Sequence, residues 1–187
     1  MSSRARIPAA TPPYPEGVQE AMDRLMPPGV EPLVLFRTLA RDGRLFARLM
    51  GAGLLDKGHL TLREREIAIA RTCARCGSEY EWGVHAAFFA ERVGFSEEQL
   101  RATVHGGPED GAWTKREALI VRLMDELHET STVSDVLFEA LRRELTDMQL
   151  VELVMLAGAY HTVSYLTNGL QLPLEPFARR FPDAPPS

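Results

Sequence analysis

The chain has 187 residues, of which 45% are hydrophobic and 25% are charged, and its formal net charge at pH 7 is −5. These values are typical of one globular domain, and they argue against a nucleic-acid partner, which requires a clustered basic surface. No apolar run reaches the roughly 18 residues of a membrane span, and no apolar signal core follows the first six residues. We therefore expect a cytoplasmic protein with no membrane partner.

Proline-rich stretches set the expected domain boundaries. Residues 7–15 contain four prolines, which exclude a helix interior, and the stretch that starts at Phe181 contains three. We predict an N-terminal arm over residues 1–16, one helical domain over 17–180 and a flexible tail over 181–187.

Helix-start signals recur along the predicted domain. A Ser or Thr followed three residues later by Glu or Gln forms a capping box, which satisfies two backbone amides of a helix start. Five such pairs precede apolar periodic segments: Thr61/Glu64, Ser78/Glu81, Ser96/Gln99, Thr114/Glu117 and Thr146/Gln149. No two-residue alternation of β-branched residues indicates a strand. The pattern predicts an all-α, single-domain multi-helix bundle with helices over 17–25, 32–41, 44–50, 62–75, 79–93, 97–103, 115–128, 135–144 and 147–170.

The break between the fourth and fifth predicted helices decides whether two polar residues meet. Gly77 can close one helix and Ser78 can begin the next. If the two helices form an antiparallel hairpin, Glu66 and His85 lie at depths that differ by only about 5 Å. If one helix ran straight through Gly77, the same residues would be about 28 Å apart.

His85 admits two interpretations at this point. Glu81 lies one helical turn before His85, where it can orient the ring and bring its pKa towards neutrality, as suits a general acid or base. Alternatively, Glu81 caps the amide of Ser78, and His85 is a hydrogen-bonded core residue beside Phe88 and Phe89.

Three stretches around this hairpin resemble a known family. They are residues 62–70 (LREREIAIA), 80–85 (YEWGVH) and 94–98 (GFSEE). They are similar to the core of the carboxymuconolactone decarboxylase and alkylhydroperoxidase-D-like family, and the resemblance extends over residues 33–174. It implies an all-helical fold and a homo-oligomer, either a trimer or a hexamer.

The peroxidase branch of this family uses a proton relay of a glutamate, two cysteines and a histidine. The resemblance matches Glu66 to the glutamate and His85 to the histidine. The two cysteine positions, seven and four residues before the histidine, hold Ser78 and Glu81 here. Neither residue can supply a thiolate.

The chain has a Cys-x-x-Cys pair five residues upstream of that position, formed by Cys73 and Cys76. It falls at the C-terminal end of a predicted helix, which disfavours a thiolate, although Arg71 and Arg75 partly offset this effect. The pair is either redox-active or consists of two small core residues.

The decarboxylase branch lacks the cysteine pair and is more similar to this chain at Glu81 and His85. It implies acid–base handling of a small unsaturated lactone acid, in which loss of CO₂ leaves a dienolate that a protonated His or Glu reprotonates. This chemistry needs no metal or other cofactor. The histidines show no HExxH or comparable metal-binding spacing, so we expect no metal site; they are His59, His85, His105, His128 and His161.

The last predicted helix carries a polar line on an otherwise apolar sequence. Its members recur at i, i+3, i+4 and i+7: His161, Ser164, Tyr165 and Asn168. Buried polar groups need partners. The line therefore forms either a pocket wall opposite His85, with Tyr160 or His161 as a donor, or a subunit contact or inter-helix network.

The leading hypothesis is a lyase that performs acid–base chemistry on a small carboxylated lactone or organic acid, with His85 as proton carrier and Glu66 and Glu81 as its partners. Substrate-binding candidates lie nearby in the predicted fold: Ser78, Trp82, Tyr160, His161 and Asn168. The second hypothesis is a thiol peroxidase with peroxiredoxin-type activity through Cys73 and Cys76. The third is a non-catalytic oligomeric protein, which a structure without a solvent-connected cavity at His85 would favour.

Overall fold

The computed structural model describes residues 5–52, 54 and 56–184. Within these ranges the chain forms no strand and nine helices: α1 (Val18–Leu25), α2 (Val34–Leu39), α3 (Gly43–Ala52), α4 (Leu62–Arg75), α5 (Glu79–Phe89), α6 (Glu97–His105), α7 (Lys115–Thr130), α8 (Asp135–Leu141) and α9 (Asp147–Gly169). The predicted all-α class is confirmed, and each predicted helix has one observed counterpart. No helix of the described part of the chain is long and apolar enough to span a membrane.

Four of the five predicted capping boxes form. They begin α4, α6, α7 and α9, where the Ser or Thr side chain accepts from the amide three residues on and the Glu or Gln side chain accepts in return. These four helices start at the residues expected, because the hydrogen bonds that define their first turns are local. The predicted box at Ser78 and Glu81 does not form, and this exception bears on the candidate site described below.

Helix α5 ends earlier than the predicted residue Val93. Gly94 has the left-handed conformation expected of a closing residue, with φ of 68°. The Phe95 amide donates to the carbonyl oxygen of Ala90 at 2.9 Å, and this bond wraps the chain back over the end of the helix. The regular helix therefore stops at Phe89, and a turn covers the remaining residues.

Helix α4 is the centre of the bundle and contacts α5, α6, α7 and α9. Its Ile67 and Ile69 are fully buried together with Leu123 of α7 and Leu153 of α9. Full burial of one such side chain stabilises the fold by roughly 1.5–3 kcal/mol. Because Glu66 directly precedes Ile67 and is itself 2% exposed, this packing holds a carboxylate inside the bundle.

A buried polar contact ties the C-terminal segment to α2 and α5. The Tyr80 hydroxyl donates to Glu175 and accepts from the Leu35 amide at 3.1 Å, while the Val34 amide donates to Glu175 at 2.5 Å. Burial and the Glu175 carboxylate raise the pKa of Tyr80, so its hydroxyl stays protonated. These bonds fix the position of α2 over the centre of the bundle.

The predicted tail starts with packed residues. The Phe181 ring contacts the Trp82 ring edge-on at 5.3 Å, and the Phe181 amide donates to Glu79 at 3.0 Å. Pro182 is partly buried, and its carbonyl oxygen accepts from the His105 ring at 2.7 Å. The predicted tail thus begins with two residues that contact the helical domain, and residues 185–187 lie outside the described ranges.

Candidate active site

The turn between α4 and α5 forms at the predicted glycine. Gly77 has φ of 63°, in the left-handed region. Its amide donates to the Ala74 carbonyl at 2.9 Å, and the Ser78 amide donates to the Cys73 carbonyl at 2.8 Å. The two helices then run back along each other, so that Glu66 and His85 meet: the distance from Glu66 Oε2 to His85 Nδ1 is 2.7 Å.

The absent capping box leaves Glu81 available to the same histidine. The Ser78 hydroxyl bonds the Thr167 hydroxyl at 2.9 Å, and the Ser78 amide is already bonded within the turn. The capping interpretation of Glu81 is therefore wrong. Its Oε1 atom lies 3.4 Å from His85 Nε2, one helical turn away as the spacing predicted.

Tyr160 of α9 completes the contacts around the ring. Its hydroxyl lies 3.1 Å from His85 Nε2, and its ring meets the imidazole edge-on with centroids 5.2 Å apart. Phe89 stacks on the imidazole, with centroids 5.3 Å apart. His85, Glu66, Glu81 and Tyr160 are each at most 6% exposed, so water screens their interactions weakly.

The two carboxylates determine the charge state of His85. Burial by itself lowers the pKa of a histidine, but Glu66 and Glu81 outweigh it and raise the pKa of His85 to about 10. The ring is an imidazolium at neutral pH, in which Nδ1–H donates to Glu66 and Nε2–H points towards Tyr160 and Glu81. The expected pKa near neutrality is wrong, because α4 supplies a second carboxylate at a shorter distance.

A cavity of about 700 Å³ adjoins this cluster. His85, Glu81 and Tyr160 line one part of it. Most other lining residues are apolar. Those from α2, the segment before it and α5 include Met26, Leu33, Leu35, Phe36, Val84, Phe88 and Phe89, while α3 contributes Leu49 and Met50 and the segment after α3 contributes Asp56. Leu25 and Arg92 also line the cavity and are exposed, so it is connected to solvent.

Two polar features of the cavity are available to a bound molecule. The Oε2 atom of Glu81 is buried and has no hydrogen-bond partner among the described residues. Arg92 lies over the Phe89 ring at 5.3 Å and forms no ion pair with any carboxylate that the structure describes. The cavity thus offers a proton donor, a free carboxylate oxygen and a cation around an apolar space.

Of the five predicted substrate-binding residues, Tyr160 lines the cavity. The other four contact different partners. Ser78 bonds Thr167, Trp82 is 1% exposed and donates to Thr103 at 2.9 Å, His161 lies 3.1 Å from His128, and Asn168 donates to the Cys76 carbonyl at 2.9 Å. Two members of the polar line of α9, His161 and Asn168, thus join helices to one another, whereas Tyr160, which precedes the line, faces the cavity.

The cysteine pair lies apart from the cavity. Cys73 is fully buried, and burial, reinforced by the Glu81 carboxylate, raises its pKa well above the usual range. Burial also raises the pKa of Cys76, against a smaller opposite effect of the Ser164 hydroxyl. Among the described residues that line the cavity there is no cysteine. Neither thiol is set up as a thiolate beside His85.

Part of the cavity lining could have been predicted from the sequence pattern. Val84, Phe88 and Phe89 lie three or four residues from Glu81 or His85, so they share one face of α5, and this spacing can be read directly from the sequence. The residues of α2 that line the cavity could not be predicted from the sequence, because no local pattern shows on which part of the bundle a short helix packs.

The region matched by a known family includes the hairpin of α4 and α5. The profile of the Carboxymuconolactone decarboxylase family matches residues 43–121, which include α4 and the catalytic candidates Glu66, Glu81 and His85. The match covers residues 43–121, which is less than half of the chain. No curated protein matches the sequence.

Solved structures share the fold of this chain at low sequence identity. A peroxidase-related protein from Ralstonia eutropha with an alkylhydroperoxidase AhpD core has a TM-score of 0.82 and 18% identity, over 95% of this chain and 96% of that one. A peroxidase-related protein from Silicibacter sp. gives 0.77 and 16%, over 97% and 100%. The debrominase Bmp8, in complex with 2,3,4-tribromopyrrole, gives 0.72 and 14%, over 95% of each chain. At these identities the likeness establishes the fold, which hosts more than one chemistry.

Proposed function

We propose that this protein is a lyase that performs acid–base chemistry on a small, mostly apolar lactone or related organic acid that carries a carboxylate. Decarboxylation is the favoured reaction. The observation that carries the proposal is the imidazolium of His85, held between two buried carboxylates at the wall of a solvent-connected apolar cavity.

His85 is suited to donate a proton rather than to accept one. The carboxylates of Glu66 and Glu81 keep the ring charged at neutral pH, and the 2.7 Å bond from Nδ1 to Glu66 fixes its orientation. The remaining proton, on Nε2, points towards the side of the ring where Tyr160 and Glu81 line the cavity. A proton held at this position serves a reaction in which negative charge develops on the substrate.

The substrate class follows from the cavity. A volume of about 700 Å³ with mainly apolar walls suits a small ring compound. Arg92 offers a guanidinium to the substrate carboxylate, and the free Oε2 of Glu81 offers an acceptor to a hydroxyl or an acidic C–H group.

In the proposed reaction the bond between the carboxylate and the substrate framework breaks and CO₂ leaves. The electron pair stays on the framework as a dienolate. His85 then gives its Nε2 proton to that framework, directly or through the Tyr160 hydroxyl, and the neutral ring takes a proton from water. Glu66 and Glu81 do not change charge in this sequence, and they favour return of the proton to His85.

The experiment is CO₂ release from carboxymuconolactone in D₂O, with deuterium in the product as the second readout. We expect His85→Gln to lower kcat/KM by about 10²–10⁴-fold, the usual contribution of a positioned acid. His59→Gln is the matched control, because His59 is an exposed histidine that does not line the cavity. Equal turnover by wild type and His85→Gln contradicts the proposal, as does the absence of both CO₂ release and solvent exchange with a panel of carboxylated lactones and β-keto acids.

The geometry gives no comparable support to a thiol peroxidase. That function predicts hydroperoxide consumption with a dithiol reductant, abolished by Cys76→Ser. Both thiols have raised pKa values and lie away from the cavity lining. We expect no such activity above background. Cysteine-dependent turnover would reverse the order of the two hypotheses.

We also propose that the chain forms a homo-oligomer through α8 and α9. Six large apolar side chains on these helices are 44–76% exposed: Val136, Phe138, Met148, Val151, Val154 and Met155. A concentration of apolar surface of this kind marks a protein contact. Light scattering is expected to give a multiple of the chain mass, reduced by the pair Val151→Glu and Met155→Glu. A monomeric wild type at micromolar concentration contradicts this proposal.

A further inference from the structure

A second polar cluster lies where the end of α4 meets α7 and α9. The Cys76 thiol is 3.8 Å from Nδ1 of His128, and that same Nδ1 is 3.1 Å from Nε2 of His161. The three ligand atoms all lie within 4.8 Å of one another, and each residue is partly buried. The residues are 52 and 33 positions apart in the chain, so only tertiary packing brings them together.

These distances suit a tetrahedral transition metal. Zinc binds sulfur at about 2.3 Å and imidazole nitrogen at about 2.0–2.1 Å, which in tetrahedral geometry separates sulfur from nitrogen by roughly 3.6 Å and nitrogen from nitrogen by roughly 3.3 Å. The observed separations of 3.8 and 3.1 Å differ from these values by only a few tenths of an ångström. The third separation, from Cys76 Sγ to His161 Nε2, is within 4.8 Å, so a shift of about 1 Å brings all three atoms to one ion.

The surroundings orient two of the ligands. Nδ1 of His161 lies 2.8 Å from the Ala157 carbonyl oxygen, so its N–H donates there and the Nε2 lone pair is directed at the cluster. This arrangement, with the far ring nitrogen bonded to a backbone carbonyl, is the usual outer-shell support of a metal-binding histidine. Asn168 donates to the Cys76 carbonyl at 2.9 Å and fixes the residue that ends α4.

The local charges are compatible with a dication. Burial, the adjacent His161 and Arg75 all lower the pKa of His128, which favours the neutral ring that a metal needs. Arg75 lies beside the cluster, but its charge is offset by Glu129 at 2.6 Å and Asp125 at 3.5 Å. A thiol with two imidazoles selects Zn²⁺ or a similar transition metal over Mg²⁺ or Ca²⁺, which prefer oxygen ligands.

We propose that Cys76 Sγ, His128 Nδ1 and His161 Nε2 bind one Zn²⁺ ion per chain, with water in the fourth position. Binding replaces the thiol proton by the metal. The His128 proton moves from Nδ1 to Nε2, so the hydrogen bond between the two rings is exchanged for two nitrogen–metal bonds. The ion would link the end of α4 to α7 and α9. This site is separate from the His85 cavity, and it revises the expectation of a chain without a metal site, which rested on spacing along the sequence.

The test uses the full chain, reduced and freed of metal with a chelator, and Zn²⁺ or Co²⁺ as the probe. We expect one equivalent of Zn²⁺ to bind in competition with a chromophoric chelator, and Co²⁺ to give the intense visible bands of a tetrahedral ion with a sulfur-to-cobalt charge-transfer band. Cys76→Ser should remove the charge-transfer band, and His128→Gln or His161→Gln should weaken binding by at least about 100-fold, the upper end of the loss seen for outer-shell residues.

Two variants serve as matched controls. Cys73→Ser removes the neighbouring thiol, and His59→Gln removes an exposed histidine, so each should bind Zn²⁺ as the wild type does. Circular dichroism of the metal-free variants separates lost binding from lost folding. Absence of the charge-transfer band in the wild type overturns the proposal without reference to any variant. So does one-equivalent binding that survives all three ligand substitutions, because the metal would then lie elsewhere.

Discussion

Two histidine clusters of this protein contact neighbouring residues of α9 and yet hold their rings in opposite charge states. Tyr160 contacts His85, which lies between the carboxylates of Glu66 and Glu81 and has a pKa raised to about 10. His161 contacts His128. Burial, the adjacent His161 ring and Arg75 lower the pKa of His128. Both rings lose water on folding, so burial alone does not distinguish them. The difference shows that the groups supplied by other helices decide which histidine is a proton donor and which is a neutral ligand.

The largest expected effect comes from removing the charge opposite His85. Glu66→Gln leaves a buried imidazolium with one carboxylate fewer, and loss of one partner from a buried pair costs about 3–5 kcal/mol. Urea unfolding at pH 7 measures this loss. Glu144→Gln is the control, because its partner Lys115 is 81% exposed, and it should lower the stability far less than Glu66→Gln does. Equal losses in the two variants would show that His85 is not stabilised as an ion.

The pH dependence of stability tests whether the carboxylates stabilise the charged form of His85. The folded pKa of His85, about 10, is above its ordinary value of 6.5, so its stabilising contribution is complete below pH 6.5 and is lost as the pH rises through 10. The free energy of unfolding of the wild type should fall over this window relative to that of His85→Gln. Parallel curves for the two proteins would contradict a raised pKa.

Metal binding is expected to have a smaller effect on stability, confined to the second cluster. Because Zn²⁺ binds the folded chain, an excess of about 100 times Kd adds about 2.7 kcal/mol and raises Tm. Differential scanning calorimetry should show this increase in wild type and in Glu66→Gln but not in His161→Gln. An increase that disappeared in Glu66→Gln would mean that the two clusters are not separate.

The smallest effect is a spectroscopic one. In the metal-free chain, the ¹H–¹⁵N NMR titration of His128 should have a midpoint below its ordinary value of 6.5, whereas His85 should remain an imidazolium beyond pH 8. This difference between the titrations of His128 and His85 can be measured without a functional assay. Coincident titration of the two rings would remove the basis for assigning them different roles.

Local signals in the sequence determined the helices and the turn of the site. The capping boxes at Thr61 and Thr146, and the left-handed Gly77, act through hydrogen bonds within a few residues, so their spacing is sufficient to predict them. The meeting of Glu66 and His85 followed, because a hairpin of two straight helices leaves only one register consistent with that turn.

Tertiary structure alone decided what those residues face and how they are charged. Ser78 had the spacing of a cap, yet its hydroxyl bonds Thr167 of α9, and this leaves Glu81 beside His85. The α2 wall of the cavity and the meeting of Cys76 with His128 and His161 arise from helix packing over long sequence separations. Helix formation depends on neighbours within about four residues, whereas burial, pKa and ligand geometry depend on groups that the chain brings together only when it folds.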